Sequence, residues 1–278
     1  MKKSVVSLLS FLFVVALCLP NLWAEDVAPK AVSEAKTAVT NAAPEVATPK
    51  APDVLAQAEE LMDKEGLKNY KKALDLCQEA VKKSPKSFKA NWMYAKACRE
   101  YGLEVEHLEL AGWKDICIKY SKIGRKHAET AIKLEPKKPN GYYYYGMNVG
   151  IYADAVSILT ALKEGLKDKT QHNFETAYKL DKTFDNGGPI VAIGRFWQVL
   201  PWPLGDKDKA MEYYEEYKKT KAYKTSDGME CHVYMAEILM DKWGSKPKKE
   251  AEKLLKQASK LTNDKYWQKR IKDLLDDI

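Results

Sequence analysis

From residue 53 to the end of the chain, apolar residues recur at three-and-four spacing, and hardly any stretch alternates as a half-buried strand would. The pattern predicts an all-α domain over residues 53–278. Its last segment shows the period well: after Asn263, one face carries Tyr266, Trp267, Ile271, Leu274, Leu275 and Ile278, and another carries Lys265, Lys269, Arg270 and Asp273. That is the profile of a terminal helix covering an otherwise open core. Upstream, residues 25–52 are rich in Ala, Pro, Val, Thr and Lys, contain no aromatic residue and hold no stable period. Such a segment buries too little surface to offset the entropy of ordering it, and reads as a flexible tether.

Within the helical part, one spacing repeats. A small residue is followed four positions on by a larger one, three further on by alanine, and five further on by proline. Ala73, Cys77, Ala80 and Pro85 follow it, as do Gly124, Ala128, Ala131 and Pro136. Thr170, Phe174, Ala177 and Lys182 keep it without the proline. Looser copies are Ala210, Tyr214, Tyr217 and Ala251, Leu255, Ala258. Ahead of every copy but the first, whose leading helix over about 53–64 is the poorest match, comes a large-small pair. Tyr94-Ala95 and Tyr145-Gly146 end ten residues after Pro85 and Pro136, Ile193-Gly194 comes slightly late after an extra Gly187-Gly188, and Met235-Ala236 opens the last unit. These are the two-helix signatures of a tetratricopeptide (TPR) unit, in which small residues let antiparallel helices approach and large ones fill the space between them. The expected architecture is a TPR-like superhelical solenoid of about five antiparallel hairpins with a C-terminal capping helix.

Every hairpin from the second onward is longer than a plain repeat. The inserted tips around Leu103–Tyr120 and Ala153–Lys167 have helical composition and should lengthen helices or add short ones. Pro201-Trp202-Pro203 predicts a stiff loop, and Gly205-Asp206 a helix start at Lys207.

The N-terminus bears on compartment. Lys2 and Lys3 precede an apolar run from Val5 to Leu19, and Leu22-Trp23-Ala24 offers a cleavage site, so residues 1–24 read as a cleaved secretory signal. Pro20 and Asn21 interrupt the run short of the roughly 20 residues needed to span a bilayer. A lipid anchor on Cys18 is disfavoured because Leu17, not a small residue, precedes it. The expected location is the periplasm. Four cysteines then remain, Cys77, Cys98, Cys117 and Cys231. An exported chain permits disulfides among them without requiring any, and their spacing matches no zinc or redox motif. No metal or cofactor is expected.

The formal charge of +7 is carried by a surface rich in both lysine and glutamate, which does not point to nucleic acid. His107, His127, His172 and His232 lie singly in different units, and the acid pairs Glu215-Glu216 and Asp276-Asp277 read as solvated faces. No catalytic constellation emerges, and an enzyme is not expected. What the repeat does offer is a concave groove lined by first helices. Counting from the small residue on each, the groove-facing positions are Trp92, Lys96 and Arg99; Tyr143, Met147 and Gly150; and Val191, Arg195 and Gln198. This predicts a cationic, aromatic wall suited to an acidic peptide segment or an organic acid.

The stretches GYYYYGMNVG and DNGGPIVAIGRFWQVLPWPLGDKDKAMEYYEEY, within residues 140–217, resemble the T-component (TatT) family of TRAP transporters, the tripartite ATP-independent periplasmic transporters. The most specific parts are Gly187-Gly188-Pro189, Ile193-Gly194-Arg195 and Pro203-Leu204-Gly205-Asp206. The resemblance implies a periplasmic protein of TPR-like hairpins that forms trimers and docks the solute-binding subunit during uptake of organic acids or apolar ligands. The missing lipobox departs from the lipoprotein members. A general cell-envelope TPR adaptor, holding a peptide segment of an assembly or secretion complex, is the alternative reading.

Overall fold

The computed structural model describes residues 53–278, so the expected signal over 1–24 and tether over 25–52 lie outside the described residues. Helices pair in chain order. α1 (Val54–Asp63) and α2 (Leu67–Lys83) form the first hairpin, α3 (Phe88–His107) and α4 (Trp113–Leu134) the second. In the third, α5 (Pro139–Val156) and α7 (Leu166–Leu180) are bridged at the tip by short α6 (Ile158–Lys163). The fourth is α8 (Phe184–Val199) with α9 (Lys207–Tyr217), the fifth α10 (Met229–Met240) with α11 (Ser245–Ala258), and α12 (Lys265–Asp276) ends the chain. Each hairpin packs on the next, and no strand occurs among the described residues. The tip insertions lengthen α3 and α4 and create α6, as their composition predicts.

Local chemistry fixes the helix starts. Asp53, Ser87, Asp206 and Asp264 each accept a backbone N–H of the following first turn. Gly112 and Gly165, at φ 74° and 71°, turn the chain into α4 and α7, a left-handed conformation costly for a side chain.

The small-large register is visible as contact. A Cβ on Gly146 would lie 2.3 Å from the Phe174 ring, and one on Gly194 would lie 2.6 Å from Tyr214. The glycine on the first helix therefore leaves the space that the aromatic ring on the second helix occupies. Ala95 shares a buried cluster with Ala128, and Ala236 shares one with Leu255, the corresponding pairs of their hairpins. Between hairpins, buried Asn148 donates its amide to the Ala95 carbonyl of α3 (3.0 Å), and it also donates to the Tyr144 carbonyl one turn back on its own helix (2.7 Å). Glycine at 124 makes this possible, because a Cβ there would meet the Asn148 side chain at 2.1 Å.

The late arrival of Ile193-Gly194 also has a physical form. Asp185, Asn186 and Gly187 take positive φ of 51°, 56° and 87°, and the regular part of α8 starts after them. A Cβ at Gly188 would collide with the Tyr143 hydroxyl at 2.5 Å, so the glycine lets α8 close onto α5.

All four cysteines of the described residues are buried free thiols. Burial pushes the Cys77 and Cys117 thiols up to about 12, which suppresses the reactive thiolate.

Candidate functional site

α12 does more than cover the last hairpin. Tyr266 stacks its ring on the His107 imidazole at the end of α3, with centroids 3.9 Å apart and planes 8° from parallel, and Trp267 meets the same imidazole edge-on at 6.0 Å. The end of the chain thereby touches the second hairpin. The inner faces of α3, α5, α8, α10 and α12 line a half-open cavity of about 560 Å³, within the range of small-molecule sites.

The cavity has two characters. Leu162, Leu166, Phe174, Phe196, Val199 and Leu200 form an apolar wall on the side of α6, α7 and α8. Charged groups reach the same space from several helices, Arg99 and Glu106 from α3, Lys167 from α7, Arg195 from α8 and Arg270 from α12. The Arg99 guanidinium bonds Glu100 at 2.8 Å while its Nε has no protein partner. Arg195 bonds Glu237 at 2.6 Å and lies over the Tyr234 ring at 4.2 Å. Arg270 reaches the other oxygen of Glu237, so one carboxylate ties α8 and α12 to α10.

Burial governs ionisation here. It raises Glu106 to about 7, helped by the Asp154 charge and opposed by Arg99, and Glu106 Oε2 has no hydrogen-bond partner. Asp154 is raised by burial against the pull of Arg195 and Arg270. His107 falls to about 4, through burial first and the positive charges of Arg99 and Arg270, with Asp264 opposing. Its imidazole is neutral over the ordinary pH range and stacks as an aromatic ring. Glu106 sits near its titration midpoint at neutral pH and serves as either donor or acceptor. The arrangement accommodates a guest with an apolar body and a polar end that both accepts from Arg and exchanges a hydrogen bond with Glu106.

Of the groove positions read from sequence, Arg99, Tyr143, Met147 and Arg195 line this cavity, together with Gly150 and Val191. Gln198 lies behind the wall, donating to the Tyr234 carbonyl and to Glu237 and accepting from the Tyr214 hydroxyl at 2.7 Å. Trp92 and Lys96 stand off the cavity, with Trp92 stacked on Tyr144 at 6.0 Å. Tyr143 is mostly buried, packed edge-on against Tyr144 and Phe184.

The expectation of a cationic wall is corrected. Glu106, Asp154, Asp185 and Glu230 face the same space, and Arg99 and Arg195 are both paired. Position counting on one helix at a time misses carboxylates from the lengthened ends of α3 and α5 and from the start of α10. It also misses Tyr266 and Arg270, which arrive only because α12 crosses to α3.

Three solved structures resemble the described fold. TTC0263, a thermophilic TPR protein from Thermus thermophilus, aligns at TM-score 0.57 and 16% identity, over 80% of this chain and 97% of its own. MamA aligns at TM-score 0.43 and 14% identity, over 77% and 96%. Yeast Tom70 aligns at 0.33 and 11%, over 84% and 66%. The sequence matches no protein-family model and no curated protein. The likeness is one of fold, and the class it defines with the hairpin register above is an all-α TPR-like helical-repeat solenoid.

Proposed function

We propose that the chain is a periplasmic accessory component of a TRAP transporter, which docks the solute-binding subunit and offers the cavity to a small organic-acid or apolar guest. It acts by binding rather than by turnover. The observation that carries this reading is the cavity of about 560 Å³, in which Arg99, Arg195 and Glu106 share one space with apolar Leu162, Phe174 and Phe196. The reading draws further on the resemblance of Gly187-Gly188-Pro189, Ile193-Gly194-Arg195 and Pro203-Leu204-Gly205-Asp206 to the T-component family. In this structure those stretches build the left-handed entry to α8, the α8–α9 contact and the loop into α9, and Gly188 and Arg195 from them line the cavity. Export through residues 1–24 would deliver the chain to the compartment where such a subunit works.

Affinity capture from the cell envelope, followed by mass spectrometry, tests it. A two-lobed periplasmic solute-binding protein is the expected partner. Recovery of secretion or envelope-assembly components instead would favour the general adaptor, a reading that the TPR-like hairpins themselves support.

A further inference from the structure

The chain reverses direction twice per hairpin, once at the tip within the hairpin and once between hairpins. Stacking the hairpins sets these two kinds of turn on opposite edges of the solenoid. Their charges differ sharply. The between-hairpin edge is made of residues 82–87, 133–138, 179–183 and 218–228; the last turn, 256–265, leads α12 across to the end of α3 and is not part of it. The edge carries 12 lysines and 3 acids, all of the lysines exposed. The within-hairpin edge, residues 62–66, 106–112, 156–165, 199–206 and 241–245, carries 3 lysines and 7 acids. The basic excess of the described chain is concentrated on one edge.

Helix electrostatics accounts for only part of this. Lys82, Lys83, Lys133 and Lys179 sit in or near last helical turns, where a cation complements the negative end of the dipole. Lys86, Lys137, Lys138, Lys221 and Lys224 lie beyond those turns, and none of these five is in an ion pair. So many like charges on one edge repel one another, and an external anionic surface would relieve that repulsion.

We propose that this lysine edge rests on the anionic headgroup surface of a lipid bilayer. Composition decides between a bilayer and a protein. Lysine is depleted at protein–protein interfaces, which are centred on buried aromatic or arginine anchors. Leu180 is the one large apolar side chain exposed near this edge among the described residues, and none of the 12 basic groups is arginine. Flexible, strongly hydrated ammonium groups spread over four successive turns suit a diffuse layer of lipid phosphates. No helix of the described residues is long and apolar enough to cross a membrane, so the contact is peripheral.

The test is co-sedimentation of the full chain with phosphatidylcholine vesicles with and without about one-third phosphatidylglycerol. One variant combines Lys86→Glu, Lys138→Glu and Lys221→Glu on the lysine edge. Another makes the same charge change toward the opposite edge with Lys68→Glu, Lys163→Glu and Lys246→Glu. All six lysines are exposed and outside the ion pairs, so both variants should fold, and circular dichroism confirms it. The expected result is parental binding to the anionic vesicles only. It should weaken at least about tenfold in the first variant and much less in the second, and fall with added salt. Three results would overturn the proposal: equal weakening in both variants, no vesicle binding by the parent, or retention of duplex DNA or an acidic protein without vesicle binding. None of them bears on the transport reading.

Discussion

The His107 imidazole lies flat on the Tyr266 ring at 3.9 Å, joining the end of the second hairpin to the helix that terminates the chain. Helical-repeat stacks ordinarily meet only nearest neighbours. Here a contact that skips three hairpins narrows an open furrow into a half-open cavity. The stack is sustained by chemistry as well as shape, because a neutral imidazole pairs with a phenol ring without desolvating a charge.

Tyr266→Ala should free α12 from α3 while leaving the five hairpins folded. The expected cost is about 1–3 kcal/mol of overall stability. Amide hydrogen exchange should accelerate selectively in α12. Unchanged protection of α12 would show that the stack contributes nothing to closure.

Two neighbouring residues give opposite pH dependences. Unfolded His107 titrates near 6.5 and folded His107 near 4, so its stabilising contribution is complete above about 6.5 and is lost as pH falls toward 4. Folded Glu106 binds its proton up to about 7, against 4.5 in the unfolded chain. Its contribution is complete below about 4.5 and is lost as pH rises through 7. Glu106→Gln should therefore be more stable than the parent at pH about 8, by on the order of 1 kcal/mol once solvent screening of the partly exposed group is allowed for. The advantage should vanish near pH 4.5. Urea unfolding at the two pH values measures it, and a variant less stable at pH 8 would contradict the burial argument.

Gly146→Ala forces a methyl group into the Phe174 ring and should cost about 1–3 kcal/mol. Combining it with Phe174→Leu should recover part of that loss, since the smaller side chain vacates the space. Strict additivity in the double-mutant cycle would mean that the two positions do not share it.

Glu237→Gln weakens the link from α10 to both Arg195 and Arg270 and leaves two part-buried guanidinium groups without their counter-ion. A loss of about 2–4 kcal/mol is expected, with α12 loosened first. Thermal melting and exchange of α12 amides together check this. A variant as stable as the parent, with α12 equally protected, would remove Glu237 from the account.

The fold is readable in the sequence because its period is enforced at close range. Gly146 with Phe174 and Gly194 with Tyr214 must alternate small and large for the hairpins to nest, and that alternation survives the loss of the repeat proline at Lys182. The inner face is readable only in part. Arg99, Met147 and Arg195 stand at fixed offsets from those small residues and reach the cavity. Glu106 and Asp154 lie in helix extensions that no repeat describes, and His107 meets Tyr266 across a sequence separation that periodicity does not encode. Trp92 shows the converse, an inner-face offset spent on stacking against Tyr144.

On the proposed reading, the inner helices α3, α5 and α8, joined to α12, hold the partner or guest. Hydrogen exchange of the chain with and without the protein it captures from the envelope addresses that most directly. Added protection along the cavity faces of α3, α5 and α8, around Arg99, Met147 and Arg195, is the predicted result. Protection confined to the outer helices α2, α4, α9 and α11, with the cavity helices unchanged, would contradict it.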